Sequence, residues 1–409
     1  MRRTTLLLAA VALTLTTFLA LPSASPTSAA SSVPVLAFYY PWYNPDDFRR
    51  SAMWDVPANP YQSDDPAAIG RQVAEATDAG ITGFISSWWG QGNRTDKNFA
   101  KLLEVSRGTP FASTIYFEAG AEGLASEGQV VAALRYVMSS YGGHPNFARV
   151  HGKPAIFFWN PGSVGSAATW RGIRNQVDPN YDWHWNVETD RPDAWLDVFD
   201  GVHLFSAASW VGDCDATYRN MRTKVDAMAG RTGRPKAWAA GVAPGWDNTR
   251  QDNPAKVLVS RDGGSYYSRR WEAALASNPD VITVTSWNEW GEGTAIEPGA
   301  GYGRLYLDIT RKYADSQSQA TSVSVSPAVA FKLGFNALAS QIPSYAGQPV
   351  EDEHYGANGD SLQQTTTGLM VWRKADNWTA FTNGGLTWVN GPHGVQVRPN
   401  DQRFPWEAQ

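Results

Sequence analysis

Between Val33 and about Ala314 the chain alternates short apolar runs with longer stretches whose apolar residues recur at helical spacing. The runs are Val33–Tyr40, Ile81–Trp88, Phe111–Glu118, Pro154–Trp159, Asp182–Glu188, Gly201–Ser206, Lys236–Val242 and Val281–Trp287. Most are nearly continuous in apolar residues, as parallel strands buried on both faces require. Between them, Asp65-Pro66 opens a stretch with Ile69, Val73 and Ala76 at helical spacing before Gly80 stops it. Proline in the first turn and glycine past the last is the expected helix asymmetry. Similar stretches follow at Lys97–Ser106, Glu127–Tyr141, Ala167–Gln176, Pro192–Val198 (the shortest), Ala216–Ala229, Ser265–Ala276 and Gly303–Tyr313. Eight strands alternating with eight helices predict an α/β (β/α)8 TIM barrel over residues 31–314. A doubly wound open sheet is the alternative, but no glycine-rich phosphate loop follows the first strand.

The pattern changes at both ends. Arg2 and Arg3 precede an apolar run from Leu6 to Leu21 and then small residues. That order predicts a signal peptide over residues 1–30, cleaved after Ala24 or Ala30, and a secreted protein with no membrane span. Residues 315–328 are small, polar and unpatterned, which predicts a linker. Beyond it, residues 329–409 carry the turn signals Asn383-Gly384 and Asn390-Gly391-Pro392 between short apolar runs, and predict a small β-rich accessory domain. Trp372, Trp378, Trp388 and Trp406 punctuate this tail. Either they form its core, or some of them contact glycan or cell wall.

Composition narrows the chemistry. The net charge of −5 lacks the basic footprint of a nucleic-acid binder. Cys214 is the one cysteine, so no internal disulfide can form, and no neighbour in sequence marks it as a reactive thiol. A monomer is expected. Nineteen tryptophans are many for 409 residues, and a number of them sit beside Gly, Asn, Asp or Glu rather than inside apolar runs. Most must be core. The others suit sugar recognition, because a pyranose offers apolar C–H faces to rings and hydroxyls to nearby polar groups.

In a barrel, catalytic groups belong at the C-terminal ends of the strands. The first strand ends in Tyr39, Tyr40 and Trp42, the second in Trp88 and Trp89, the third in Glu118 and the fifth in Glu188. The sixth carries His203, Trp246 and Asp247 follow the seventh, and the eighth runs into SWNEWGEGTAIEP, residues 286–298. That last segment sets Glu289 and Glu292 three apart among Asn288 and Trp290, with Gly291 and Gly293 expected to turn the chain and aim both carboxylates inward. Paired carboxylates among aromatic rings point to glycoside cleavage, with these rim residues, Asn288 and Trp290 as the candidate substrate contacts. Burial and like charge raise one pKa of such a pair, and the raised group becomes the proton donor.

Four segments in order, AFYYPWY (37–43), SWWG (87–90), APGWDNT (243–249) and SWNEWGEGTAIEP, resemble glycoside hydrolase family 99, the endo-α-mannosidases, over about Val33 to Tyr313. The resemblance implies a barrel, an oligo- or polysaccharide substrate, no metal or other cofactor, and retaining hydrolysis within α-mannoside chains. It also implies that Glu289 is a base for the sugar's own 2-hydroxyl, which attacks the anomeric carbon to give a 1,2-anhydro sugar. Glu292 is then the acid for the departing oxygen. Glu118 matches a substrate-binding glutamate of the family, and Trp88 a ring at the non-reducing side. Three positions depart from its pattern: Gly291 and Tyr116-Phe117 stand where histidine is usual, and His203-Leu204-Phe205 replaces a tyrosine-rich segment. These departures leave the sugar and linkage open. A polysaccharide-binding protein without catalysis and a transferase in surface polysaccharide synthesis are the other readings. The intact glutamate pair weighs against the first. The signal peptide, with no nucleotide-binding signature, weighs against the second.

Overall fold

The computed structural model describes residues 33–205, 214–252, 255–322, 330–356, 358–384 and 386–407. The signal peptide expected at 1–30 lies outside them. Eight parallel strands form the centre: β1 (Val35–Tyr39), β2 (Gly83–Trp88), β3 (Thr114–Glu118), β4 (Lys153–Trp159), β5 (His184–Glu188), β6 (Gly201–His203), β7 (Ala237–Val242) and β8 (Val281–Val284). Each pairs with the next, and β8 returns to β1 with Ile282 opposite Val35, so the barrel closes. Eight helices intervene: α1 (Pro66–Asp78), α2 (Arg94–Val105), α3 (Glu127–Tyr141), α4 (Ala167–Val177), α5 (Pro192–Trp195), α6 (Cys214–Thr232), α7 (Ser265–Ala276) and α8 (Leu305–Ser322). Local signals start several of them. Asp65 accepts the Ala67 N–H ahead of Pro66, Asn93 accepts the Thr95 N–H, and Ser126 and Gln129 cap each other reciprocally.

Strand pleat divides the buried residues into two cores. Ala37 and Tyr39 of β1 face the helices, as do Phe84 and Trp88 of β2. Leu36, Phe38 and Tyr40 fill the barrel with Ile85, Tyr116, Phe157 and Phe205. Inside, His203 donates or accepts at both ring nitrogens, to Asn186 Oδ1 at 2.8 Å and the Tyr116 hydroxyl at 3.1 Å. Burial lowers its pKa to about 3, so it is a neutral strut.

Helix α8 runs through Ser322, into the segment expected to be linker; residues 323–329 lie outside those described. Serine, threonine and glutamine are only mildly unfavourable in a helix, and extending one anchored by buried Tyr306 and Leu307 costs little. The tail then opens with helices α9 (Leu333–Gln341) and α10 (Pro343–Ala346). An antiparallel six-stranded sheet follows, of β9 (His354–Tyr355), β10 (Ser361–Gln364), β11 (Leu369–Arg373), β12 (Trp378–Thr382), β13 (Leu386–Gly391) and β14 (Gly394–Pro399). Phe335 and Leu338 of α9 pack on Met370, Phe381 and Trp388. Trp388 is therefore core, whereas Trp372, Trp378 and Trp406 stay partly exposed. Among the described residues no helix is long and apolar enough to cross a membrane.

Candidate active site

The loop after β8 is tied down by the residues that surround its two glutamates. Asn288, fully buried, accepts the Tyr40 N–H at 2.7 Å and donates to the Tyr40 carbonyl at 3.0 Å, clamping the ends of β8 and β1 together. Trp290 is buried too. Its indole N–H reaches Glu297 Oε2 at 3.2 Å, and Glu297 also accepts from Gln72 at 2.7 Å and Tyr61 at 3.0 Å. Gly293 has φ of +64°, and a Cβ there would lie 2.6 Å from the Asp247 carbonyl oxygen. Only glycine allows this approach, which brings the Asp247 N–H to the Glu292 carbonyl at 2.9 Å. Gly291 does not have positive φ, contrary to the expectation that both glycines turn the chain. Its missing side chain instead leaves space beside Glu289, whose Oε1 would be 3.3 Å from a Cβ.

The two carboxylates differ in their partners. Tyr43 donates to Glu289 Oε1 at 3.2 Å, and the Gly291 N–H also points at this carboxylate. Burial and the Glu292 charge push the Glu289 pKa well up, while those two donors oppose the rise. Glu292 has no such relief. Its Oε2 is buried without a hydrogen-bond partner, and burial with the Glu118 charge raises its pKa to about 8. Both carboxyls are thus held above the ordinary carboxylate range, and their hydrogen-bond partners distinguish them. The donors favour the charge on Glu289 and the proton on Glu292.

Glu118, at the end of β3, accepts the Ser87 hydroxyl at 2.6 Å, and Ser87 accepts the Trp89 indole N–H at 2.9 Å. Burial lifts Glu118 to about 7, and burial with Asp190 lifts Glu188 to about 7. Tyr40 feels the charges of Glu289, Glu292 and Glu118, and Tyr116 those of Glu188, Glu118 and Glu292. Four carboxyls thus gather around two buried phenols, whose raised pKa values keep them protonated. Among the described residues no group of three or more His, Cys, Asp or Glu could hold a metal ion.

The sequence-predicted residues separate by strand parity. Tyr40, Trp42, Glu118, Glu188, Trp246 and Asp247 lie at the barrel mouth. Trp89 joins them, 42% exposed, with its ring 6.3 Å from that of Trp42. Tyr39 and Trp88, expected at the substrate, face the helix layer. Tyr39 donates to Gln72 and stacks on Phe84, and Trp88 is fully buried with its N–H on Asp96 at 2.8 Å. His203 lies among the interior rings, while Asn288 and Trp290 support the loop. Tyr43, Ser87 and Trp159 were missed. The last two share the inward parity of Ile85 and Phe157, a signal that would have found them.

The sequence profile of glycosyl hydrolase family 99 matches residues 41–322. The glycoprotein endo-alpha-1,2-mannosidase of Mus musculus is 23% identical over 312 residues, covering 67% of this chain and 65% of that protein, so this chain spans just under two thirds of that relative's length. A glycoprotein endo-alpha-1,2-mannosidase-like protein of Danio rerio is 25% identical over 312 residues, covering 67% and 68%. The solved GH99 endo-alpha-mannosidase of Bacteroides thetaiotaomicron superimposes with a TM-score of 0.63 at 24% identity, covering 71% of this chain and 99% of that one, a likeness of fold. With the profile matching well over half of its residues, this chain belongs to glycosyl hydrolase family 99.

Proposed function

We propose that the protein is a secreted, retaining endo-α-mannosidase that works through the substrate's 2-hydroxyl. The Glu289 carboxylate takes the proton of that hydroxyl as its oxygen attacks C1 from the face opposite the leaving group. Glu292 gives its proton to the departing glycosidic oxygen, and a 1,2-anhydro sugar results. Water deprotonated by Glu292 then opens the epoxide at C1, while Glu289 returns its proton to O2. Two inversions at C1 leave the configuration retained, and no protein nucleophile is used. The observation that carries this reading is the unequal hydrogen bonding of the pair: the Tyr43 hydroxyl donates to Glu289 Oε1, whereas Glu292 Oε2 is buried without a partner. The names of the family's mannosidases support the sugar and the endo action.

The test is to incubate the full chain with α-mannans and related glycans and follow the released oligosaccharides by chromatography and NMR. Internal fragments whose first-formed reducing end is α are expected. Monosaccharide release alone, or a β reducing end formed first, would overturn the proposal.

A further inference from the structure

The C-terminal sheet carries a cleft that the barrel's chemistry does not use. The cleft follows a single row of cross-strand neighbours, Tyr355, Ser361, Trp372, Thr379 and Asn390, one from each of β9 to β13, and all but the buried Ser361 line it. These residues lie on the face that α9 covers, since Met370, Phe381 and Trp388, each two positions away, are buried beneath it. The cover ends at the start of α9. There the helix backbone comes down on the sheet, so that a Cβ on Gly334 would sit 2.6 Å from the Thr379 hydroxyl. Beyond that point the row opens into a cavity of about 490 Å³.

The lining is built rather than incidental. The Trp372 indole N–H is held by Asn377 Oδ1 at 2.8 Å, which fixes the ring. Glu353, also in the wall, is fixed by the Ser361 hydroxyl at 2.5 Å. Tyr355 is 75% exposed, and Leu333 stands at the cleft's edge 92% exposed, with φ of +42°. Leucine seldom adopts that backbone conformation, and such strain collects at binding sites. Large side chains left out in water beside fixed polar groups are the anatomy of a small-ligand site. Glu353 and Lys332 together give the lining one charge of each sign, which favours a neutral ligand. The alternation of rings with hydroxyl and amide groups matches a hydroxyl-rich ligand better than an apolar protein anchor.

We propose that this cleft is a non-catalytic glycan site, in which one or more pyranose rings of a neutral polysaccharide stack on Trp372 and Tyr355 and hydrogen-bond to Asn390, Thr379 and Glu353. It goes beyond the reaction of the barrel. Holding an insoluble polymer here raises the effective concentration of linkages at the active site without altering the chemistry.

The experiment uses full-length Glu289→Gln protein, which is not expected to cut, and measures its retention on insoluble α-mannan, cellulose and chitin. Retention on at least one polymer is expected. Adding Tyr355→Ala or Trp372→Ala should lower it about tenfold or more, whereas Trp378→Ala, on the opposite face of the same sheet, should leave it unchanged. Tyr355 is exposed enough that its removal spares the core, and an unchanged melting temperature verifies this. No retention on any of the three overturns the proposal, as does retention indifferent to both Tyr355→Ala and Trp372→Ala. Oligosaccharide release by the parent protein is read separately, so failure of the barrel's assigned activity cannot be mistaken for failure of this site.

Discussion

The Tyr43 hydroxyl donates to Glu289 Oε1 at 3.2 Å and accepts the Trp290 N–H at 3.3 Å. It thereby ties the backbone of the loop after β8 to one carboxylate and not to the other. A donor on a buried carboxylate stabilises its charged form by about 1.5–3 kcal/mol. Tyr43→Phe should accordingly raise the Glu289 pKa, move the acidic limb of the pH–kcat/KM profile to higher pH, and cost about tenfold or more near pH 6. An unmoved acidic limb would separate Tyr43 from the base.

Glu292 supplies a stability test with a definite sign. Its pKa is about 8 in the fold against 4.5 ordinarily, so between those values the unfolded chain binds fewer protons than the native one. Native stability therefore falls as pH rises through this window, and the penalty is absent below it. Glutamine cannot ionise. Glu292→Gln should melt at nearly the parent temperature at pH 4.5 and several degrees above it at pH 8. A difference that does not change with pH would show that the carboxyl is not held protonated.

The two glycines of the loop should respond differently to alanine. At Gly293 the positive φ and the contact with the Asp247 backbone cannot both be kept, so Gly293→Ala should cost about 1–3 kcal/mol and displace the Trp246–Asp247 ribbon from Glu292. Melting temperature and activity should fall together. Gly291→Ala meets only side-chain atoms, at 3.3 Å or more, so it should melt like the parent and lose activity alone. Differential scanning fluorimetry beside initial rates distinguishes the pair.

Adjacent tryptophans make a similar contrast. Trp88 is fully buried between Phe117 and Tyr136, and Trp88→Ala should cost about 3–5 kcal/mol. Trp89, exposed beside Trp42, should on conversion to alanine raise KM severalfold with little change in melting temperature. Should Trp89→Ala destabilise as much as Trp88→Ala, Trp89 is a packing residue.

The barrel was legible in the sequence because parallel strands covered on both faces must be apolar almost throughout, as runs such as PAIFFW are, and eight of them alternate with helical stretches. That same continuity hid side-chain direction. In AFYY nothing distinguishes Tyr39 from Tyr40, although one faces the helices and the other the site, and a shift of one residue exchanges the faces. Glu289 and Glu292 stood out through spacing and neighbours. Their unequal partners did not, because Tyr43 is 246 residues from Glu289 in sequence. Asn288 and Trp290 looked like ligand groups for the same reason. Their true partners, Tyr40, Tyr61 and Glu297, are supplied by the closed barrel and by the folding of the loop on itself. The end of α8 was missed because a polar, small-residue segment resembles a linker whether or not a helix propagates into it.

The division of roles between the two glutamates is the centre of the account, and one measurement addresses it directly. Glu289→Gln and Glu292→Gln should each lose at least about 10²-fold in kcat/KM on an ordinary α-mannoside chain, whose leaving oxygen needs a proton. On an α-mannosyl fluoride of matched chain length, whose fluoride departs without general-acid help, Glu292→Gln should recover to within about tenfold of the parent. Glu289→Gln should remain inactive, because deprotonation of the 2-hydroxyl is still required. Recovery of Glu289→Gln with Glu292→Gln inactive would reverse the roles, and turnover of a 2-deoxy-2-fluoro substrate by the parent would contradict participation of the 2-hydroxyl altogether.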